Sequence, residues 1–156
     1  MQKDIDIIIY GATGFTGQLC VKYFQSLNTG VNWAIAGRDQ EKLQKVASDN
    51  SIDVEILIAD SDDEAALDIL TSRAKVILST TGPFHRYGSK LVASCVKNSA
   101  NYVDITGENF WVKGLIAKHH EEASAKGIRI IPSCGYDSIP SDLGVFYSAK
   151  ALNKPI

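Results

Sequence analysis

Ile5–Tyr10, four isoleucines among six residues, runs straight into glycines at positions 11, 14 and 17. This junction limits what the chain can fold into more than any other feature. A short run rich in isoleucine reads as a buried strand, and Thr16–Ser26 then reads as a helix with Leu19, Tyr23 and Leu27 near one face. Gly11 permits a tight turn between the two elements. Gly14 lets an anion approach the main chain with no Cβ in the way, and Gly17 lets the helix pack closely on the strand. The free N–H groups at the helix start, aided by the helix dipole, make an anion site. Thr13 and Thr16 add hydroxyl donors, and Phe15 lies in the same loop. The spacing is Gly-x-x-Gly-x-x-Gly, not the Gly-x-Gly-x-x-Gly fingerprint, so the glycines alone are weak. Their place after a strand and before a helix points to a dinucleotide. The competing reading is a purely structural turn. A P-loop is disfavoured because no Gly-Lys-Ser/Thr follows.

Beyond the loop the chain alternates. Strands are expected at Val31–Ala36, Val54–Ala59, Val76–Ser79, Tyr102–Ile105 and Ile128–Ile131. Helices are expected at Gln40–Ser48, Glu64–Ser72, about Gly88–Lys97, Phe110–Ala125 and Pro140–Leu152. Asn28–Gly30 reads as a turn. Asp39 suits the cap of the second helix, whose apolar stripe is Leu43, Val46 and Ala47. The acids of 60–63 suit the start of the third helix. Lys126-Gly127 stops the fifth. Ser138 or Ser141 suits the cap of the last, with Pro140 near its first turn. The pattern predicts an α/β fold: a Rossmann-like, doubly wound, mostly parallel sheet of about six strands with helices on both faces.

With 156 residues, 45% apolar and 22% charged, the chain suits one domain with a core, residues 1–156. A formal net charge of −2 without a dense basic block gives no reason to expect nucleic acid as a partner. Cys20, Cys95 and Cys134 are far apart and lack metal-ligand spacing, so no metal is expected. Reduced, structural thiols suit a cytoplasmic setting. No secretory leader is read, and the first apolar run is too short to span a bilayer. No integral membrane segment is expected, while membrane association of an intact protein stays open.

The cofactor is read from the second strand's end. Sites for NAD usually place an acid there for the ribose 2′-hydroxyl. Here Ala36-Gly37-Arg38 stands in that place. Arg38 can pair with a 2′-phosphate and stack on adenine, so NADP is preferred and NAD is less favoured. Asp60 either faces the adenine amino group or caps the next helix. Thr80, Thr81, Gly82 and Pro83 end the fourth strand and are expected to line the groove near the nicotinamide ribose.

Chemistry is harder to locate. A Tyr-x-x-x-Lys pair is absent; Tyr87 and Lys90, like Tyr147 and Lys150, are three apart. His85 stands near the expected nicotinamide edge as an acid or substrate contact, against the plainer reading of a surface histidine. His119 and His120 read as surface residues late in a helix. Asp104 and Glu108 are substrate contacts in one reading, and capping or loop hydrogen-bonding groups in the favoured one. Cys134, Tyr136 and Asp137 are placed to line the cleft, but no histidine is evidently set to activate Cys134. No catalytic residue is assigned.

Five segments, in this order, resemble the saccharopine dehydrogenase-like oxidoreductase family. They are GATGFTG at Gly11–Gly17, AGR at Ala36–Arg38, TTGPFHRYG at Thr80–Gly88, YVDITGE at Tyr102–Glu108 and CGYDSIPSDLG at Cys134–Gly144. The last is the most specific, and the likeness covers nearly the whole chain. It implies a nicotinamide-binding domain with Gly11–Gly17 at the pyrophosphate and Thr80–Pro83 along the groove. Relatives include enzymes of saccharopine imine chemistry, and a nearer-looking branch includes trans-acting enoyl reductases for complex lipids. The resemblance also implies a following region, lacking in this sequence, that carries substrate contacts and much of the dimer surface. The chain is therefore expected to be a piece of a longer oxidoreductase, acting on an enoyl, imine or carbonyl compound, a small molecule or a lipid, with a homodimer in view. The alternatives are a noncatalytic NADP-sensing or scaffold module, and a small enzyme completed by dimerisation.

Overall fold

The structure, a computed structural model, describes residues 3–27 and 30–153, so the expected turn at Asn28–Gly30 lies largely outside the described residues. Strand β1 (Ile5–Tyr10) leads into α1 (Phe15–Leu27), then β2 (Trp33–Gly37), α2 (Gln40–Asp49), β3 (Glu55–Ile58) and α3 (Glu64–Arg73). The second half continues with β4 (Ala74–Ser79), α4 (Phe84–Lys97), β5 (Asn101–Asp104), α5 (Asn109–Ala125), β6 (Ile130–Ile131) and α6 (Ile139–Ala151). The strands form one sheet in the order β3-β2-β1-β4-β5-β6, and every described pairing is parallel. This is the expected Rossmann-like α/β fold.

Register sets where the loops emerge. Leu57, Ala36, Tyr10, Ser79 and Asp104 stand side by side, one from each of β3, β2, β1, β4 and β5. The strands thus end along one line. The sheet order reverses direction between β1 and β4, and a crevice opens at that switch. On one face Ile9 and Ile35 pack under Val21 of α1 and Leu43 and Val46 of α2. On the other, Ile8, Ile77 and Tyr102 pack with Leu67, Leu91, Val92 and Trp111 of α3, α4 and α5. None of the described helices is long and apolar enough to cross a membrane.

The caps explain most helix starts. The Asp39 carboxylate accepts from Lys42 N at 3.1 Å and caps α2 as expected. Asp63 does the same for α3 through Ala66 N. Asp60 is therefore not the cap; its carboxylate closes a turn by accepting from Asp62 N at 2.9 Å. Ser138 stands at the N-cap of α6, but its side chain makes no cap hydrogen bond. Instead the Ser138 and Ile139 N–H groups donate to Gly135 O, and Pro140 follows in the first turn. No residue of α6 is buried, and Leu143, Val145, Phe146 and Tyr147 are exposed along it.

Two expectations change. Leu19, Tyr23 and Leu27 of α1 face solvent, and the inward face carries Gly17 and Val21 with Cys20 and Phe24 partly covered. Close packing at Gly17 fixes the helix's rotation, and the larger apolar residues fall outside. Helix α4 begins at Phe84, four residues before the expected Gly88, because a remote carboxylate receives its first N–H groups.

The two edges of the sheet are held differently. Where the strands begin, Arg73 bridges Asp4 at 2.5 Å and Glu55 at 2.6 Å, and Lys75 pairs with Asp6 at 2.6 Å. These pairs are largely solvated. Where the strands end, the buried Asp104 carboxylate accepts from Thr106 N and Ser133 N at 3.0 Å and from Tyr102 Oη at 2.8 Å. Cys134 N donates to its backbone oxygen at 2.7 Å. Ser133 is held at φ 62°, a left-handed conformation unfavourable for a residue with a side chain. Asp104 thus fastens the two-residue β6 and its exit loop. Burial pushes its carboxyl above the usual range, against the pull of those donors.

Two outcomes follow for stability, measured by urea unfolding. A Cβ on Gly17 would overlap the Gly11 carbonyl oxygen and lie 2.8 Å from Ala12 Cα. Both obstacles are backbone, so Gly17→Ala is expected to cost about 2–3 kcal/mol. Asp104→Ala strands three donors and is expected to cost about 3 kcal/mol. Asp104→Asn keeps an oxygen for the two N–H groups and costs less. The native state holds the Asp104 proton more tightly than the unfolded chain. Wild-type stability relative to Asp104→Asn therefore falls as pH rises from the ordinary carboxylate range through the raised Asp104 pKa.

Candidate functional site

A cleft of about 400 Å³ lies along the line where the strands end. Its floor begins with Tyr10, whose hydroxyl donates to Ala59 O at 3.2 Å, and Gly11. Gly11 sits at φ +87°, and a Cβ there would collide with the Thr81 hydroxyl. Thr80 N donates to Tyr10 O at 3.0 Å, and the Thr80 hydroxyl turns back to Gly11 O at 3.2 Å. The β4 exit is thereby bolted to the β1 turn.

The glycine loop forms one end of the cleft. Gly14 N donates to Gly11 O at 3.0 Å, folding the loop so that Thr13 and Gly14 border the cleft. A Cβ on Gly14 would meet only that carbonyl oxygen, at 3.4 Å, so its missing side chain leaves open space. The N–H groups of Thr13, Phe15 and Thr16 have no backbone acceptor among the described residues. A helix start with free N–H groups suits the oxygens of a pyrophosphate. At the β2 end, Gly37 and Arg38 line the cleft, with Ser61 opposite. Arg38 is exposed and lies in no ion pair among the described residues. Its neighbour Asp39 is occupied by Lys42, through both the N–H and Nζ at 3.0 Å. One unengaged guanidinium and several free N–H groups fit a phosphorylated dinucleotide. Beyond the switch, Thr81, Gly82, Pro83 and Tyr87 complete the wall.

Eight expected residues thus gather here: Gly11, Thr13, Gly14, Arg38, Thr80, Thr81, Gly82 and Pro83. Four do not border the cleft. Gly17 is buried beneath the loop, Thr16 lies beside it in α1, Phe15 points out with 84% exposure, and Asp60 serves its own turn. Sequence reasoning missed Tyr10, Gly37, Ser61 and Tyr87 as lining residues. Tyr10 read as core, which it also is. Ser61 was hidden beside Asp60, and Tyr87 fell before the expected helix start.

The segment past the switch holds the polar groups that remain. Glu108, at the N-cap position of α5, does not cap its own helix. Its carboxylate accepts from Phe84 N and His85 N, both at 2.8 Å, and lies 2.5 Å from His85 Nδ1. Burial would raise the Glu108 carboxyl, but these donors hold it below its usual range. Cys134 is pushed the other way by burial and by Asp104, which disfavours a thiolate nucleophile. Tyr136 is 91% exposed, and neither it, Cys134 nor Asp137 lines the cleft. His119 is buried rather than superficial, and burial lowers its pKa. It borders a separate groove of about 270 Å³ between α5 and β6, away from the glycine loop. No cluster of metal-ligating side chains occurs among the described residues.

Residues 7–131 match the family described as the saccharopine dehydrogenase NADP binding domain. A trans-acting enoyl reductase of Mycobacterium leprae is 40% identical over 148 residues, covering 93% of this chain and 35% of that protein. A saccharopine dehydrogenase-like oxidoreductase of Mus musculus is 36% identical over 167 residues, covering 97% of this chain and 39% of that protein. The chain thus spans little more than a third of the length of such relatives. The apo saccharopine dehydrogenase (L-Glu forming) of Saccharomyces cerevisiae superposes with a TM-score of 0.75 at 19% identity, over 96% of this chain and 31% of that one. At that identity the likeness is one of fold.

The open space at Gly14 separates binding from folding. Gly14→Val is expected to change unfolding free energy by less than about 1 kcal/mol, because its Cβ meets only the Gly11 carbonyl oxygen, at 3.4 Å. It fills the cleft instead, and NADPH affinity measured by calorimetry is expected to fall at least about tenfold.

Proposed function

The chain belongs to the saccharopine dehydrogenase NADP binding domain family, and on that premise we propose that it holds NADP(H) for an oxidoreductase acting on an enoyl, imine or carbonyl substrate. The observation that carries the cofactor assignment is Arg38, an unengaged cation at the β2 end with its neighbouring acid tied to α2. In this reading the free N–H groups of Thr13, Phe15 and Thr16 hold the pyrophosphate. Arg38 takes the 2′-phosphate by charge-assisted hydrogen bonds, and Ser61 borders the same pocket.

When bound, the cofactor supplies or accepts a hydride. The protein's part is to bind, orient and exclude water. Pro83 and the Thr80 hydroxyl, bolted to Gly11, give the far wall its stiffness. Tyr87, on the first turn of α4, closes that wall. The relatives' names, an enoyl reductase and a saccharopine dehydrogenase-like oxidoreductase, support hydride transfer as the reaction class. The enoyl reductase, the more similar in sequence of these two, favours a conjugated C=C bond over the imine.

The test is a calorimetric titration of this chain with NADPH and NADH. Tighter binding of NADPH is expected, and Arg38→Ala should weaken it about 10–100-fold while changing NADH little, in keeping with loss of a charge-assisted pair. Equal weakening of both cofactors would place Arg38 elsewhere than at the 2′-phosphate. Absence of binding by the folded chain would defeat the proposal.

A further inference from the structure

A helix that begins beside a ligand crevice presents free N–H groups, and these suit an anion. Helix α4 begins this way, directly after Gly82 and Pro83 of the cleft wall. In this chain the position is already taken. The Glu108 carboxylate reaches across from the β5–α5 loop and accepts from Phe84 N and His85 N at 2.8 Å each. Its second tie, to His85 Nδ1, holds the half-exposed imidazole against the same carboxylate.

We infer that Glu108 is a specificity-determining residue, which occupies the start of α4 with its own carboxylate and so keeps carboxylate-bearing substrates from docking there. This rests on the oxidoreductase reading above and adds one restriction: the part of the substrate that lies against the first turn of α4 is uncharged. The surroundings agree. A second carboxylate at this point would face Glu108 with its donors already used. Asp137 stands over Gly107 and Gly135 in the adjoining loops and adds another negative charge. Arg86, the cation of that turn, lies over the Tyr87 ring, 5.4 Å from its centroid. The remaining neighbour is apolar: the Phe110 ring is 70% exposed and lies 5.5 Å from the His85 ring. Such a rim accepts an acyl or alkyl chain beside a C=C or C=O group, and resists a chain that ends in a carboxylate.

The experiment uses this chain, labelled with nitrogen-15, and follows the Phe84 and His85 amide resonances with saturating NADPH and without it. Butyrate and butyramide serve as probes of equal size that differ in charge. In the wild-type protein butyrate is expected to leave both amides unmoved. In Glu108→Ala it should shift them saturably, at concentrations at least about tenfold below any effect on wild type, while butyramide separates the two proteins little. Glu108→Gln keeps an acceptor oxygen without the charge and should fall between them; it decides the matter if the alanine variant does not fold. Butyrate binding equally well to wild type, or no gain in a folded variant, would overturn the role given to Glu108. NADPH affinity is read separately by fluorescence. Loss of cofactor binding would count against the proposed function, whereas the cofactor-free butyrate arm would still decide for or against Glu108.

Discussion

Everything about this domain's working end depends on how closely α1 is allowed to approach the β1 turn. Gly17 packs so near the Gly11 carbonyl that no side chain fits between them. That approach sets the rotation of α1, sends Leu19 and Tyr23 to the surface, and aims the helix start along the crevice. The open position at Gly14 is useful only because Gly17 has already fixed the loop around it. Two glycines in one loop thus have different tasks. One is required by the protein's own packing and the other leaves room for something else. A residue's type alone does not distinguish them; the local geometry does.

The opposite side of the crevice is organised by two carboxylates that lie within one five-residue motif, Asp104 to Glu108. Both hold backbone N–H groups from distant parts of the chain, yet their environments differ. Asp104 is enclosed, and its surroundings favour the proton. Glu108 sits at a helix start beside an imidazole, and its surroundings favour the charge. The first fastens a strand too short to hold itself, including a serine in a costly backbone conformation. The second lengthens α4 by a turn toward the cleft. The same chemical group therefore acts once as a buried fastener and once as a charged occupant.

Much of this was legible in the sequence because the signals were local. Alternation of isoleucine-rich strands with helices gave the sheet, and Asp39 announced its own helix three residues ahead of the N–H that donates to it. The glycine spacing and the Ala36-Gly37-Arg38 segment located two ends of the cleft. What escaped was set by contacts across long stretches of chain. The true start of α4 depends on a carboxylate 24 residues beyond Phe84. Tyr10 looked like core and is core, but its strand end also floors the cleft. His119 and His120 both looked superficial because they fall late in a helix; only the packing of α5 on the sheet shows that His119 turns inward. Tyr136 and Asp137, singled out for their company in a constrained loop, stand away from the cleft wall.

The contrast between the two edges of the sheet has a consequence for how the molecule answers to ionic strength. Where the strands begin, attraction acts between solvated side chains, with Arg73 spanning Asp4 and Glu55 and Lys75 meeting Asp6. Dissolved ions compete there directly. Where they end, Asp104 is sealed from solvent and held by fixed N–H and O–H groups, which mobile ions do not reach. Salt therefore divides the sheet by depth: it slackens the rim at which the chain enters the strands and spares the rim at which it leaves them, so the architecture behind the crevice outlasts the electrostatic trim of the far side.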